Sequence, residues 1–288
     1  MNDLIHCVAN PVLGKELRVR MRSKKTPWII TLYLAALGIV IFSILFMQAA
    51  NKNSYYSSNG KIIFVILSVM QYALIILATP GLTAGAISGE RERQTLPLLL
   101  TTNLSGVQII LGKWLSSLSF MILLVLSSIP LYSMVLLFGG TSPGQFIKIF
   151  AVYLITMLAI GAVGLCISTI MKRTGAATVT TYLLVFAFSG LIFLISGLLY
   201  DSMQKDLLQI ASQTGAAVHP ISTHPLYGWL QLLNCINPFN VITVVFLNQN
   251  GLFSQQSPEN PFWGFIVFYG IITIVALAVA VLFIRRKA

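Results

Sequence analysis

The chain has 288 residues, of which 57% are hydrophobic and only 9% carry a charge. Soluble domains have about 25% charged residues, so this composition, with a mean hydropathy of +0.86, does not fit a soluble domain. The net charge of +11 would suit a nucleic-acid-binding protein by its size alone, but its distribution along the chain is that of a membrane protein. We therefore expect membrane lipid as a partner, and no nucleic acid.

Several apolar runs of the chain are long enough to cross a membrane as helices. The predicted spans contain no Asp, Glu, Lys or Arg, and about 20 residues at 1.5 Å per residue cover a hydrocarbon core of about 30 Å. Because the runs are continuously apolar rather than alternating, they predict helices and not the strands of a barrel. The predicted fold is an all-α polytopic membrane protein. Its six transmembrane helices are expected at 28–48, 62–84, 114–138, 149–170, 176–200 and 262–284.

The segment before the first span, residues 1–27, predicts a helix that lies on the cytoplasmic membrane surface. Leu13, Leu17 and Met21 recur at helical spacing on one side, which suits the acyl boundary. A second face carries basic residues that would meet anionic head groups. These are Lys15, Arg18, Arg22 and Lys25. The other interpretation is an ordinary basic flank of the first span.

The lysines and arginines are divided unevenly between the two sides of the predicted membrane. With a cytoplasmic N-terminus, fourteen of the 18 Lys and Arg residues face the cytoplasm and four face the outside. Cytoplasmic loops carry such an excess of basic residues in membrane proteins. We therefore expect both termini in the cytoplasm.

The connection between the second and third spans, residues 85–113, combines a charge run with an apolar patch. Glu90, Arg91, Glu92 and Arg93 are followed closely by leucines. Each charge would cost about 2.5–3.5 kcal/mol at the bilayer centre, so this segment must be cytoplasmic. We predict an interfacial helix over 86–102 whose charges face the cytosol, with Glu90 and Arg93 paired at i,i+3. A solvated charge run is the other interpretation.

Two shorter patterns flank this connection. Small residues at a spacing of four let two helices approach closely, and such residues occur here as Gly81, Gly85 and Gly89. Ser105 and Gln108 predict a capping box at the start of the third span. Lys113 is interpreted as an interfacial anchor of that span.

The sequence contains no pattern that would make the chain an enzyme. Residues 106–114 lack the spacing of a phosphate-binding loop, and His219 with His224 would make only a weak metal site. No cofactor or metal is expected in this chain. Polar residues within the spans, such as Gln71, Tyr72, Thr156 and residues 178–181, are predicted to form interhelical hydrogen bonds.

The predicted outer segment, residues 201–261, is long and contains two apolar stretches on either side of Asn237 and Pro238. Each stretch is too short to cross the bilayer. A re-entrant or interfacial helical hairpin is therefore expected here.

The stretches "NPVLGKELRVRMRSKKTPWIITLY" and "AGAISGERERQTLPLLLTTNLSGVQIILGK" resemble the membrane-spanning permease subunit of an ABC transporter of the type-two exporter family. The resemblance is clearest over the first 115 residues. In that family a surface helix precedes six spans, and a cytoplasmic coupling helix between the second and third spans docks into a separate ATPase subunit. Pro97 and Asn103 depart from the residues that are frequent in the family at their positions.

The resemblance implies a single transmembrane permease domain over 1–288 that forms a translocation pathway, expected in a bacterial cell membrane and acting in export. Its implied partners are an ATPase subunit, which would bind ATP and Mg²⁺, and a second permease subunit, identical or similar. The residues expected to dock the ATPase are Glu90, Arg91, Glu92, Arg93, Thr95, Leu96, Leu98 and Leu99. The alternative function is a membrane anchor or assembly factor that recruits a cytosolic protein without transport.

Overall fold

The computed structural model of the chain describes residues 25–50, 56–95, 97, 105–137, 142–214, 224–237 and 261–285. These residues form helices and turns and contain no strand, which confirms the all-α prediction. The helices are α1 (Lys25–Ala50), α2 (Tyr56–Thr83), α3 (Ser88–Glu92), α4 (Gly106–Ser127), α5 (Ile129–Leu137), α6 (Pro143–Ile170), α7 (Thr174–Thr214), α8 (Tyr227–Ile236) and α9 (Pro261–Arg285).

Six candidate membrane spans are present in the described residues, as the sequence predicts. They cover Thr26–Met47, Ile63–Glu92, Gly106–Leu137, Pro143–Ile170, Thr174–Gln213 and Phe262–Ile284. The second span includes α3, and the third combines α4 and α5. Residues 1–24 of the predicted surface helix, which was expected over 1–27, lie outside the described part. Residues 25–27 form the start of α1.

The chain divides into two compact units, of which the first contains residues 1–182 and 270–288. Its core forms where α2 packs against α4 and α6. Two glycines of α6 permit this close approach: a Cβ at Gly161 would lie 2.7 Å from Leu118 Cδ2, and one at Gly164 would lie 2.3 Å from Thr83 Oγ1. A Cβ at either position would force the side chain of Leu118 or of Thr83 to shift, so glycine suits both positions.

The second unit contains residues 183–269, and in its described part many apolar side chains of α7 are exposed. Leu183, Phe193 and Leu198 are each more than half exposed, as expected for a surface that faces lipid. Tyr227–Ile236 is a helix of 10 residues, too short to span. It lies in the first apolar stretch of the predicted hairpin. The second stretch lies outside the described residues, so the hairpin stays a prediction.

Three details differ from the sequence predictions. The fifth span was expected to end at 200, yet α7 continues to Thr214, because no helix-breaking residue follows before Gly215. The third span begins at Gly106 rather than 114, and the chain leaves the helix at Ser128. The threonines expected to bond between helices, Thr156, Thr178 and Thr181, instead donate to carbonyl groups four residues earlier in their own helices. Gln71 does bond between helices, since it accepts from Tyr33 of α1.

Candidate partner-docking site at the helix ends

The second span does not run smoothly into α3, and a serine from α6 bridges the interruption. Ser168 Oγ accepts hydrogen bonds from the backbone N–H of Ile87 at 3.0 Å and of Ser88 at 2.9 Å. It also donates to Ser88 Oγ at 3.2 Å. Ser88 and Ser168 are fully buried, where an unpaired N–H would be costly. The interruption is therefore fastened to the end of α6.

Glu90 connects this segment to the start of the third span. Its Oε1 lies 2.7 Å from Nζ of Lys113, with the lysine side chain 9% and the glutamate side chain 28% exposed. Its Oε2 accepts from the Thr95 hydroxyl. A largely buried ammonium needs a paired anion, so Lys113 is held by Glu90. Glu90 makes its contact pair with Lys113 and not with Arg93, the predicted partner, although Arg93 still interacts electrostatically with Glu90. The role of Lys113 as an interfacial anchor stays a prediction.

Arg91 caps the end of α6. Its Nη1 donates to the carbonyl of Met171 at 2.9 Å, and its Nη2 donates to the carbonyl of Thr169 at 3.0 Å. The last carbonyls of a helix have no partner within the helix and carry partial negative charge. The guanidinium satisfies two carbonyls there at once, which its planar fork allows.

Glu92 binds the start of α7. Its Oε1 accepts from the backbone N–H of Thr174 at 2.9 Å, and its Oε2 accepts from the Thr174 hydroxyl. A carboxylate at a helix N-terminus satisfies a free N–H and interacts favourably with the helix dipole. Three adjacent side chains of the charge run therefore reach three different helices, α4, α6 and α7.

The helix that carries these charges closes at Gln94. The N–H of Thr95 donates to the Glu90 carbonyl at 2.9 Å, and the N–H of Gln94 donates to the Arg91 carbonyl at 3.1 Å. With Gln94 at φ 58°, these two bonds form a Schellman motif. The expected continuous helix over 86–102 is therefore wrong in its first part, since the chain reverses at 93–95.

The glycines predicted for helix packing behave differently from one another. A Cβ at Gly81 would lie 3.1 Å from Tyr182 Oη, and one at Gly85 would lie 3.0 Å from Thr174 Cγ2. A Cβ at Gly89 would meet nothing within 4 Å. The second span thus approaches the first part of α7 closely at Gly81 and Gly85, and Gly89 takes no part in that contact.

We call this group the helix-end cluster: residues 87–95, Lys113 and residues 168–174. It contains Glu90, Arg91, Glu92, Arg93 and Thr95 from the predicted docking set. Leu96, Leu98 and Leu99 lie outside the described residues. Sequence reasoning did not assign Ser168 or Thr174 to the site, because both bond to residues about 80 positions away and no local pattern marks them.

The described residues contain no group of three or more His, Cys, Asp or Glu that could hold a metal ion. His224 lies 3.6 Å from Asp206 through Nε2 and Oδ2, and its Nδ1 accepts from the N–H of Leu226. His219, the other member of the weak candidate pair, lies outside the described residues. The chemistry of the helix-end cluster is that of paired charges and helix caps.

The fold is that of a multi-pass all-α membrane protein. Charged side chains hold several of its helices together on the side that the sequence predicts to be cytoplasmic. A family model described as ABC-2 family transporter protein matches residues 10–288. The chain belongs to this family, and it is therefore an ABC-2 type permease. A comparison with curated proteins gives no match.

Proposed function

We propose that this chain is the permease subunit of an ABC transporter and that the helix-end cluster receives the mechanical input of a separate ATPase subunit. One observation carries the proposal: the 87–95 segment is bonded directly to the start of the third span, the end of the fourth and the start of the fifth. A displacement of this segment would therefore act on several spans together.

The bonds of the cluster suit the transmission of movement. The Glu90–Lys113 salt bridge and the Arg91 carbonyl contacts are charge-assisted and short, at 2.7 to 3.0 Å, and such bonds are about twice as strong as neutral ones. The glycine contacts at Gly161 and Gly164 keep α2, α4 and α6 in close van der Waals contact below the cluster. Closely packed helices change arrangement as units and do not deform continuously.

The transport cycle that follows from this proposal is alternating access. ATP and Mg²⁺ bind the ATPase subunits, whose closure displaces the 87–95 segments of two permease subunits that face each other. The spans then shift between two packed arrangements, and export is the direction that we propose. The permease itself catalyses no reaction.

The test is purification of the chain with its ATPase from mild detergent, followed by substrate-dependent ATP hydrolysis in reconstituted membranes. Leu96→Ala with Leu98→Ala should release the ATPase, because a buried leucine at a packed contact contributes about 2–5 kcal/mol. Arg91→Gln should retain the ATPase but lower the coupled hydrolysis, since the arginine binds only helix carbonyls of its own chain. The matched control is Lys148→Gln, an exposed change at the other end of α6.

A membrane anchor would give a different pattern. It would retain a cytosolic partner whose ATP hydrolysis does not respond to substrate or to Arg91→Gln. Retention of both partner and coupled hydrolysis by the leucine variant and by a Glu90→Gln, Glu92→Gln variant would show that the segment takes no part in docking the ATPase or in coupling.

A further inference from the structure

Three of the four exposed charged side chains of the helix-end cluster are basic, and the fourth is Glu92. Arg93, Lys172 and Arg173 are exposed, and none of them forms a salt bridge within the described part of the chain. Arg93 stands at the chain reversal after α3, and the other two form the turn between α6 and α7. These three cations are the side-chain charges that the cluster can offer to another molecule.

The two carboxylates of the cluster are occupied within the chain. Both oxygens of Glu90 accept hydrogen bonds, one from Lys113 and one from Thr95. Both oxygens of Glu92 accept from Thr174. A partner that needed these carboxylates would have to break the bonds that hold the helix ends together.

The three cations belong to one surface, although two separate segments supply them. The side chain of Arg91 bonds to the carbonyl of Met171, and Glu92 bonds to Thr174. These contacts fix the 91–93 segment beside the 172–173 turn. The sequence alone assigned docking to the first of these segments and counted the second only among the cytoplasmic basic residues.

We infer that Arg93, Lys172 and Arg173 form a basic docking surface and that the ATPase subunit meets it with an acidic face. The inference rests on the proposed function and adds the charge of the partner surface. Charge complementarity steers a partner toward its surface and excludes partners of like charge. A protein is favoured over lipid head groups because Arg93 lies three residues before the predicted leucine patch, so the partner that covers the leucines also reaches Arg93.

Carbodiimide coupling tests this surface, since the reagent joins a lysine amine to a carboxylate that is in contact with it. The sample is the full chain in complex with the ATP-hydrolysing subunit that co-purifies with it, and the products are identified by peptide mass spectrometry. We expect a cross-link from Lys172 to an aspartate or glutamate of that subunit. Lys172→Arg is the matched control, because it keeps the charge and the partner but removes the amine and the cross-link.

The exposed Lys205–Asp201 pair, 2.7 Å apart, reports within the same sample that the reagent has reacted. A cross-link of Lys172 to the head group of an anionic lipid, or no cross-link to the subunit while Lys205 and Asp201 are joined, would overturn the inference. Neither outcome touches the proposed function, which depends on co-purification and coupled hydrolysis.

Charge reversal provides the second measurement. Arg93→Glu, Lys172→Glu and Arg173→Glu together should lower retention of the ATPase at least about tenfold, and retention by the unaltered chain should fall as salt is raised. Lys148→Glu, an exposed reversal elsewhere on α6, should have no effect. Unchanged retention and salt dependence in the triple variant would contradict the basic surface. Loss of the ATPase from Leu96→Ala with Leu98→Ala in the same assay would show that the proposed function still stands.

Discussion

Neighbouring residues of the charge run serve different parts of the fold. Glu90 holds an ammonium at the third span, Arg91 caps the end of α6, and Glu92 caps the start of α7. Their side chains diverge because successive residues of a helical turn point about 100° apart. Ser168 and Gln94 complete this arrangement, one by accepting backbone N–H groups and the other by closing the turn.

The glutamine in the left-handed conformation is a position where the chain can be stabilised. Gln94 has φ 58° at the C′ position of the Schellman motif, where glycine has no Cβ penalty. Gln94→Gly should raise the free energy of unfolding by about 1 kcal/mol. The same change at exposed Gln209, within α7, should lower it by about 1 kcal/mol. Thermal unfolding in detergent measures both, and a loss of stability in Gln94→Gly would contradict the motif.

Ser168 should contribute more to the free energy of unfolding than the size of its side chain suggests. Ser168→Ala removes the acceptor of two backbone N–H groups at the buried interruption after α2, so we expect a loss of about 1–3 kcal/mol. Ser43→Ala is the control, because Ser43 is exposed and donates only to a carbonyl of its own helix. Amide hydrogen exchange at Ile87 and Ser88 should accelerate in the Ser168 variant. Equal stability of the two variants would mean that the backbone finds other acceptors.

At the scale of elements, the cluster supplies hydrogen-bond partners to the backbone groups at the ends of α6 and α7. The last carbonyls of α6 and the first N–H of α7 lie on either side of a turn of only a few residues, which leaves little room for capping by local side chains. Arg91 supplies a cation to the negative C-terminal end of α6, and Glu92 supplies an anion to the positive N-terminal end of α7. The dipoles of the two helices favour both placements. Three helices are thereby fixed at one place.

The salt bridge between Glu90 and Lys113 gives a prediction at this scale. Removal of one partner leaves a largely buried charge, so Glu90→Gln should lower the free energy of unfolding by about 2 kcal/mol. Lys113→Met in the same chain should recover most of that loss, because no uncompensated charge remains. A double-mutant cycle in thermal unfolding measures the coupling. The exposed Lys205–Asp201 pair should give a much smaller coupling in its own cycle, because solvent screens both charges. Equal couplings for the two pairs would contradict the burial of Lys113.

At the scale of the whole molecule, the spans could be predicted because lipid imposes a strong and local requirement. A run of about 20 apolar residues is visible in the sequence itself, and the capping box of Ser105 and Gln108 is a pattern of four residues, which the structure confirms. The helix-end cluster could not be predicted, since Glu90 and Lys113 are 23 positions apart and Arg91 and Met171 are 80 apart. The pairing of distant charges depends on how the helices pack, and packing leaves no periodic signal.

The orientation of the molecule is the last prediction, and it follows from the excess of basic residues on one side. α6 contains Lys148 near its start and is followed by Arg173 just beyond its end, and both residues are exposed. The helix between them is about 33 Å long at 1.5 Å per residue, which places the two positions at opposite membrane surfaces. In a chain whose native cysteines are replaced, Lys148→Cys should react with an impermeant maleimide added to intact cells. Arg173→Cys should react only after permeabilisation, and reaction of both positions in permeabilised cells is the control. Labelling of Arg173→Cys in intact cells would place the helix-end cluster outside, where no ATPase subunit could reach it, and the coupling proposal would fail with the orientation.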